Sequence, residues 1–311
     1  MLRFTFIFAT SCLFQSNAAF GQKVFLNARS STVRIPTAQL GAVTVPPIVS
    51  ARKAGDEWVP LDVDQAIPPV TRGVTCSLPD VLSNAGENVQ DLIRDLDRYS
   101  ATEVVQHQGV RSGHLLSPET HHFNYVATFK GMPSGYLDVE EDRRGKKSSD
   151  QFPEGVATIG TPTLILIFHP LYARGFNMEC EGLGEWRGQP AWQVRFEELP
   201  GFANHMFTID MNGKSYGVRF HGRAWILADS YQVAALQTDL AEPIDKIHLR
   251  LYHQENEYGP VHFPENDSEI WLPLNTQLYI DFSHHRFYRR HTFMDFHLFS
   301  VKVRQVFSSP M

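Results

Sequence analysis

Residues 216 to 303 form a succession of short segments in which apolar and polar residues alternate, with turn residues between them, and this pattern dictates a sheet. A period of two sends successive side chains to opposite faces, and connections as short as Ala228-Asp229-Ser230 leave antiparallel neighbours as the outcome. In the segment 216–226, Val218, Phe220, Gly222, Ala224 and Ile226 share one face, and Arg219, His221, Arg223 and Trp225 share the other. The first face is expected to be dry and the second wet. Further strand signals cover 101–105, 122–130, 135–141, 176–181, 191–198, 206–211, 231–239, 246–255, 260–263, 269–271, 277–282 and 293–303, so the region reads as one unbroken meander. The apolar stretch 163–168, between Pro162 and Pro170, suits a buried strand or a short helix by its length. We take it as a short helix closing over the sheet.

A different period precedes the strands. Ser77 with Asp80 three residues on has the form of a capping box, and Pro79 falls in the first turn, where its missing N–H costs nothing. Val81, Leu82, Ala85, Val89, Leu92, Ile93 and Leu96 then recur on one helical face, with Glu87, Asp91, Arg94, Asp95 and Arg98 on the other. A helix is predicted from residue 77 to about 99, with an apolar face that needs cover.

The chain opens with Arg3, an apolar run and Ala19-Phe20-Gly21, which has the form of a secretory signal peptide over residues 1–21. The run is too short to span a bilayer, and nothing later approaches the roughly 18 apolar residues a transmembrane helix needs. An exported protein, periplasmic or extracellular, is expected. A lipid anchor on Cys12 is the rival reading, disfavoured by the short apolar region before it and by Ala9 where Leu would stand. Residues 22–75 are rich in proline and read either as an extended arm with edge strands or as a disordered linker. Residues 76–311 make up the folded domain.

Loss of Arg3 with the leader would take the net charge from −6 to −7, which gives no electrostatic reason to bind nucleic acid or anionic membranes. The basic run 143–147 follows Glu140-Glu141-Asp142 and reads as a solvated turn. With Cys12 removed, Cys76 and Cys180 remain, and two distant cysteines in an oxidising compartment are expected to pair, tying the helix start to a strand in the middle of the sheet. Neither lies in a CxxC motif, so zinc and thioredoxin-type chemistry lack support.

Two stretches carry a likeness to a known family. One is Thr161-Pro162-Thr163-Leu164-Ile165-Leu166, then 176–180, then Gly188-Gln189-Pro190-Ala191-Trp192-Gln193-Val194-Arg195-Phe196. The other is Gly222-Arg223-Ala224-Trp225-Ile226, a turn at Asp229, and 233–238. Together with a helix followed by antiparallel strands, they resemble the bacterial envelope fold of the lipoprotein carrier LolA, the lipoprotein receptor LolB and the anti-sigma regulator RseB. The resemblance implies an α+β, mostly β fold: a strongly curved antiparallel half-barrel enclosing one or two helices and a greasy cavity. The C-terminal third, with Leu272-Pro273 and the run 284–291, is similar to a group of exported acidobacterial proteins, a likeness that confers no activity. The proline-rich arm departs from the carrier pattern.

Catalytic signatures are lacking. Histidines are numerous, but no HExxH or HxxEH spacing occurs, so no metal site is expected. The cluster His284, His285, Arg286, Arg289, Arg290 and His291 repels cations and reads as a solvated strand edge; if it binds anything, Arg286, Arg289, Arg290 and His291 suit an anion or lipid headgroup. There is no GxSxG elbow, the glycines of 182–188 do not make a dinucleotide fingerprint, and no cofactor is expected. Glu140-Glu141 and Glu197-Glu198 are adjacent on strands and point to opposite faces, so neither is an acid and base couple. What remains is aromatic and apolar: 22 Phe, 10 Tyr and 5 Trp.

A curved sheet half covered by a helix would leave an apolar groove. The leading expectation is therefore a non-enzymatic exported protein taking a lipid, an acyl chain or a lipidated or extended peptide on its concave face, with Phe220, Trp225, Leu278, Ile280 and Phe296 as contacts. A packed interior would count against it. The alternatives are an envelope scaffold whose arm docks on a protein partner, and a metal-assisted hydrolase built on converged histidines.

Overall fold

The structure, a computed structural model, describes residues 58–299 apart from 132–136, 147–151, 157, 159, 202–206, 212–213 and 265–266. The leader, Cys12 and residues 22–57 of the arm lie outside the described residues.

Helix α1, Leu78–Asp95, forms where the apolar period predicts it. Ser77 stands at its N-cap without a side-chain bond, so the expected capping box is not made; the backbone carbonyl of Ser77 accepts from Val81 N at 3.0 Å and Pro79 occupies the first turn. Val81, Ala85 and Val89 are buried against a 3-10 turn, Leu164–Phe168, and against Val194, Phe196, Ala224, Ile226 and Leu236 of the sheet. Each large apolar side chain buried this way contributes about 1.5–3 kcal/mol. Gly86 allows the close approach, since a Cβ there would lie 3.1 Å from the Phe168 carbonyl. The short helix expected at 163–168 is this turn, followed by α2, Pro170–Ala173.

The strands are β1 (Arg98–Arg111), β2 (His114–Leu115), β3 (Glu119–Gly131), β4 (Leu137–Gly145), β5 (Phe176–Trp186), β6 (Gln189–Glu198), β7 (Thr208–Met211), β8 (Lys214–Gly217), β9 (Phe220–Leu227), β10 (Val233–Leu240), β11 (Leu249–Phe263), β12 (Ser268–Phe282) and β13 (His285–Phe299). One antiparallel sheet runs in the order β4-β3-β1-β13-β12-β11-β10-β9-β6-β5, with β2 paired to β1 and β7–β8 a separate hairpin. The sheet is open, bounded by β4 and β5, and forms a curved half-barrel with α1, Leu164–Phe168 and α2 on its inner side.

Two expectations change. The meander is broken, because β4 and β5 follow one another in sequence yet lie at opposite edges, and β1 pairs with β13 from the far end of the domain. Alternation identifies strands but carries nothing about which distant strand completes the ladder. The wet face of β9 is in fact covered: Arg223 is buried under residues 58–71, which run across β10, β9, β6 and β5, and Trp225 is buried against Trp186.

The strap of residues 58–71 and the disulfide finish one edge. Thr71 N donates to Leu183 O at 2.7 Å, and Val70 packs on Gly182, whose positive φ and missing Cβ let the strap close. Cys76 is bonded to Cys180 on β5, which is an edge strand and not a middle one. At the other edge, Tyr172 Oη accepts from Leu137 N at 2.9 Å. Each edge strand is thereby met by another part of the chain, β5 by the strap and the disulfide and the start of β4 by Tyr172.

Candidate functional site

The inner face is expected to be greasy and is instead divided by a polar belt. Inward positions of β1, β4 and β13 bring Glu103, Arg143, Glu141, Arg289 and His291 together. Glu103, fully buried, accepts from Arg143 Nε at 2.8 Å and is bonded to His291 Nδ1 at 2.8 Å. Arg143 Nη2 reaches Glu141 at 2.8 Å, and Glu141 accepts from Tyr125 Oη at 3.1 Å and Gly160 N at 2.6 Å. His291 Nε2 lies 2.9 Å from the Thr158 hydroxyl. Arg289 donates to His107 Nδ1 at 3.1 Å, to Pro153 O at 2.8 Å and to Val156 O, with its guanidinium 4.1 Å from the Phe287 ring centre. Glu154 closes the belt between His107, 3.5 Å away, and His285 Nδ1 at 2.9 Å.

Burial sets the charges of this belt. It would raise the Glu103 carboxyl, but Arg143 and His291 outweigh it and hold that carboxyl below the usual range. Burial lowers His291, with Glu103 opposing, so the imidazole is neutral, donating to Glu103 and accepting from Thr158. Arg289 is pushed down by burial to about 9 and stays charged at neutral pH. These groups hold Pro153, Val156, Thr158 and Gly160 of the crossover between β4 and β5 against the inner face.

The five expected ligand contacts do not line one site. Phe220, Leu278 and Ile280 are buried together with Phe207, Tyr252 and Phe287 in one cluster, Phe296 packs with Tyr99 and Phe293 in another, and Trp225 lies on the opposite face against Trp186. Strand parity is the reason, since Phe220 and Trp225 are five residues apart on β9. The anion cluster divides likewise. Arg289 and His291 point inward and are buried, whereas Arg286, half exposed and paired with Asp281 at 2.9 Å, and Arg290 point outward.

Two further constellations were not read from the sequence. On the outer face, Asp62 of the strap, His221 of β9 and Asp239 of β10 present ligand atoms all within 4.8 Å of one another. Around them, Asp239 is bonded to His253 Nδ1 at 2.8 Å and accepts from Val63 N at 2.9 Å, while Asp64 holds Arg195 through two 2.8 Å bonds. Burial would lower His253, but Asp239 and Glu255 push it up to about 9. Asp62-Val63-Asp64 after Pro60 was the available signal; its partners lie far along the chain, 159 residues away in the case of His221.

The second is a groove of about 150 Å³ between α1 and the ends of β10 and β12. Val89, Leu92, Ile165, Val233, Ile270 and Trp271 give it apolar walls, and Asn88, Asp91, Gln232 and Glu269 stand at its lip. Asn88 is fixed by a 2.8 Å bond to Ser230 O. Among the described residues, no helix is long and apolar enough to cross a membrane.

No protein-family model matches the chain, and no curated protein matches it. Solved structures similar to it include a DUF1329 family protein from Desulfovibrio piger, at 11% identity and a TM-score of 0.39 over 72% of this chain and 94% of that one. A putative outer membrane lipoprotein-sorting protein domain from Vibrio parahaemolyticus is similar at 7% identity and a TM-score of 0.37, over 70% and 93%. A LolA superfamily protein from Nitrosomonas europaea is similar at 7% identity and 0.35, over 73% and 96%.

Proposed function

We propose that the chain is an exported, non-enzymatic binding protein that takes an apolar group in the groove between α1 and the ends of β10 and β12. The observation that carries this reading is an apolar wall with a polar lip, which is the composition of a small-ligand site. A half-open groove of about 150 Å³, its lining as polar as it is apolar, has room for no more than a benzene-sized group, so the occupant is the end of an acyl chain or one large side chain of an extended peptide. Asp91 and Glu269 at the lip disfavour a free carboxylate, which points to an esterified chain or a peptide.

Trp271 in the wall supplies the test. A monoacylglycerol brominated along its chain is expected to quench tryptophan fluorescence saturably, and Trp271→Phe to remove the saturable part. A second reading, an envelope scaffold without a small ligand, is favoured by the buried polar belt that crosses the inner face. Absence of saturable quenching, with no acyl adduct in native mass spectrometry, would leave that reading standing. The hydrolase alternative needs converging imidazoles, and among the described residues the one group with metal-ligand spacing contains a single histidine.

A further inference from the structure

We propose that Asp62, His221 and Asp239 bind one divalent transition-metal ion of the zinc type, which fastens the strap to the outer face of the sheet. The three ligand atoms lie within 4.8 Å of one another, and His221 Nε2 is 3.1 and 3.2 Å from the two Asp62 oxygens. Ligands at 2.0–2.1 Å from a tetrahedral zinc stand about 3.3 Å apart, so small side-chain rotations bring the set onto one ion. One imidazole with two carboxylates suits zinc, cobalt or manganese better than calcium, which prefers an all-oxygen shell.

The supporting shell is already built. Asp239 Oδ1 is held by His253 Nδ1, its Oδ2 by Val63 N, and Asp62 Oδ1 by Asp64 N at 2.9 Å, which leaves a lone pair on each carboxylate oxygen for an ion. The cations of this face have carboxylates of their own: Arg195 has Asp64 and Glu197, Arg223 has Glu181 at 2.7 Å, and His253 shares its charge with Glu255. Among the described residues, the cationic partner of Asp62 is His221. Asp239 is buried and Asp62 partly exposed, so the remaining coordination position opens towards water on the strap side. The ion would join a segment ahead of α1 to two strands more than 150 residues later, which closes a long loop and stabilises the strap without any new apolar burial.

The experiment uses the tag-free full chain, stripped with chelator and titrated separately with Zn²⁺, Co²⁺ and Ca²⁺ by calorimetry and thermal melting. One Zn²⁺ or Co²⁺ per chain is expected, with a higher melting temperature and, for Co²⁺, visible d–d bands that His221→Ala abolishes. Asp62→Asn, on the partly exposed strap and close in shape, folds in any case and is expected to weaken binding at least tenfold. The proposal is overturned by the absence of one-per-chain binding, by binding that survives both substitutions, or by binding of Ca²⁺ alone, any of which would leave the His221–Asp62 contact as a direct link between strap and sheet.

Discussion

At the scale of single residues the interior belt controls the response to pH. His291 is lowered in the folded state, so below its ordinary value of 6.5 the unfolded chain binds a proton that the folded one refuses, and stability falls as pH drops from 6.5 towards the folded value. Glu103 accepts from its ring, and Arg143 and Arg289 repel the added charge. His253, held up at about 9, acts oppositely, its contribution being complete below 6.5 and lost as pH rises through 9. Melting curves from pH 5.5 to 7.5 are expected to show that His291→Gln flattens the acid side relative to the parent chain; an unchanged slope would count against a neutral His291. Arg289→Met leaves the carbonyls of Pro153 and Val156 without their donor and should cost about 3 kcal/mol, measurable by denaturant unfolding. None of this was legible locally. In His-Arg-Phe-Tyr-Arg-Arg-His nearly every position is polar or aromatic, so alternation cannot tell the inward Arg289 and His291 from the outward Arg286 and Arg290.

At the scale of elements, α1 was readable because an apolar stripe of helical period has one meaning, whereas the strap was not, because its bonds go to strands far away in sequence. Its prolines spoke against a helix but not for where it lies, and residues 63–66 form a turn. An arm that served only to dock on a partner could be removed without changing the melting of the domain. The strap reverses this, so a deletion ending at 75 is expected to melt below one ending at 57, and equal melting would contradict the contacts to Arg223, Asp239 and Leu183. The disulfide spans 104 residues, and in the chain-entropy model Cys76→Ser should cost about 4 kcal/mol, a fall of roughly 8–16 °C in melting temperature. Calorimetry under oxidising conditions checks this.

At the scale of the whole molecule, the antiparallel strands and α1 follow from features that alternation, turns and helical period express locally, the curvature was implied only by the resemblance, and strand order depends on pairings that no local pattern records. The β1–β13 ladder is the clearest case. A chain truncated before residue 285 loses the partner of both β1 and β12 and should show no protected core in hydrogen exchange; a protected core would mean that the remaining strands close without it. That ladder also sets a clock on biosynthesis. Glu103 leaves the ribosome 188 residues before His291, so at about 5–20 residues per second its carboxylate and the whole of β1 wait roughly 10–40 s for the strand that completes them. A chaperone that guards the newborn polypeptide must cover that interval, and a premature stop near the C-terminus yields a nearly full-length product in which β1 has never met its partner.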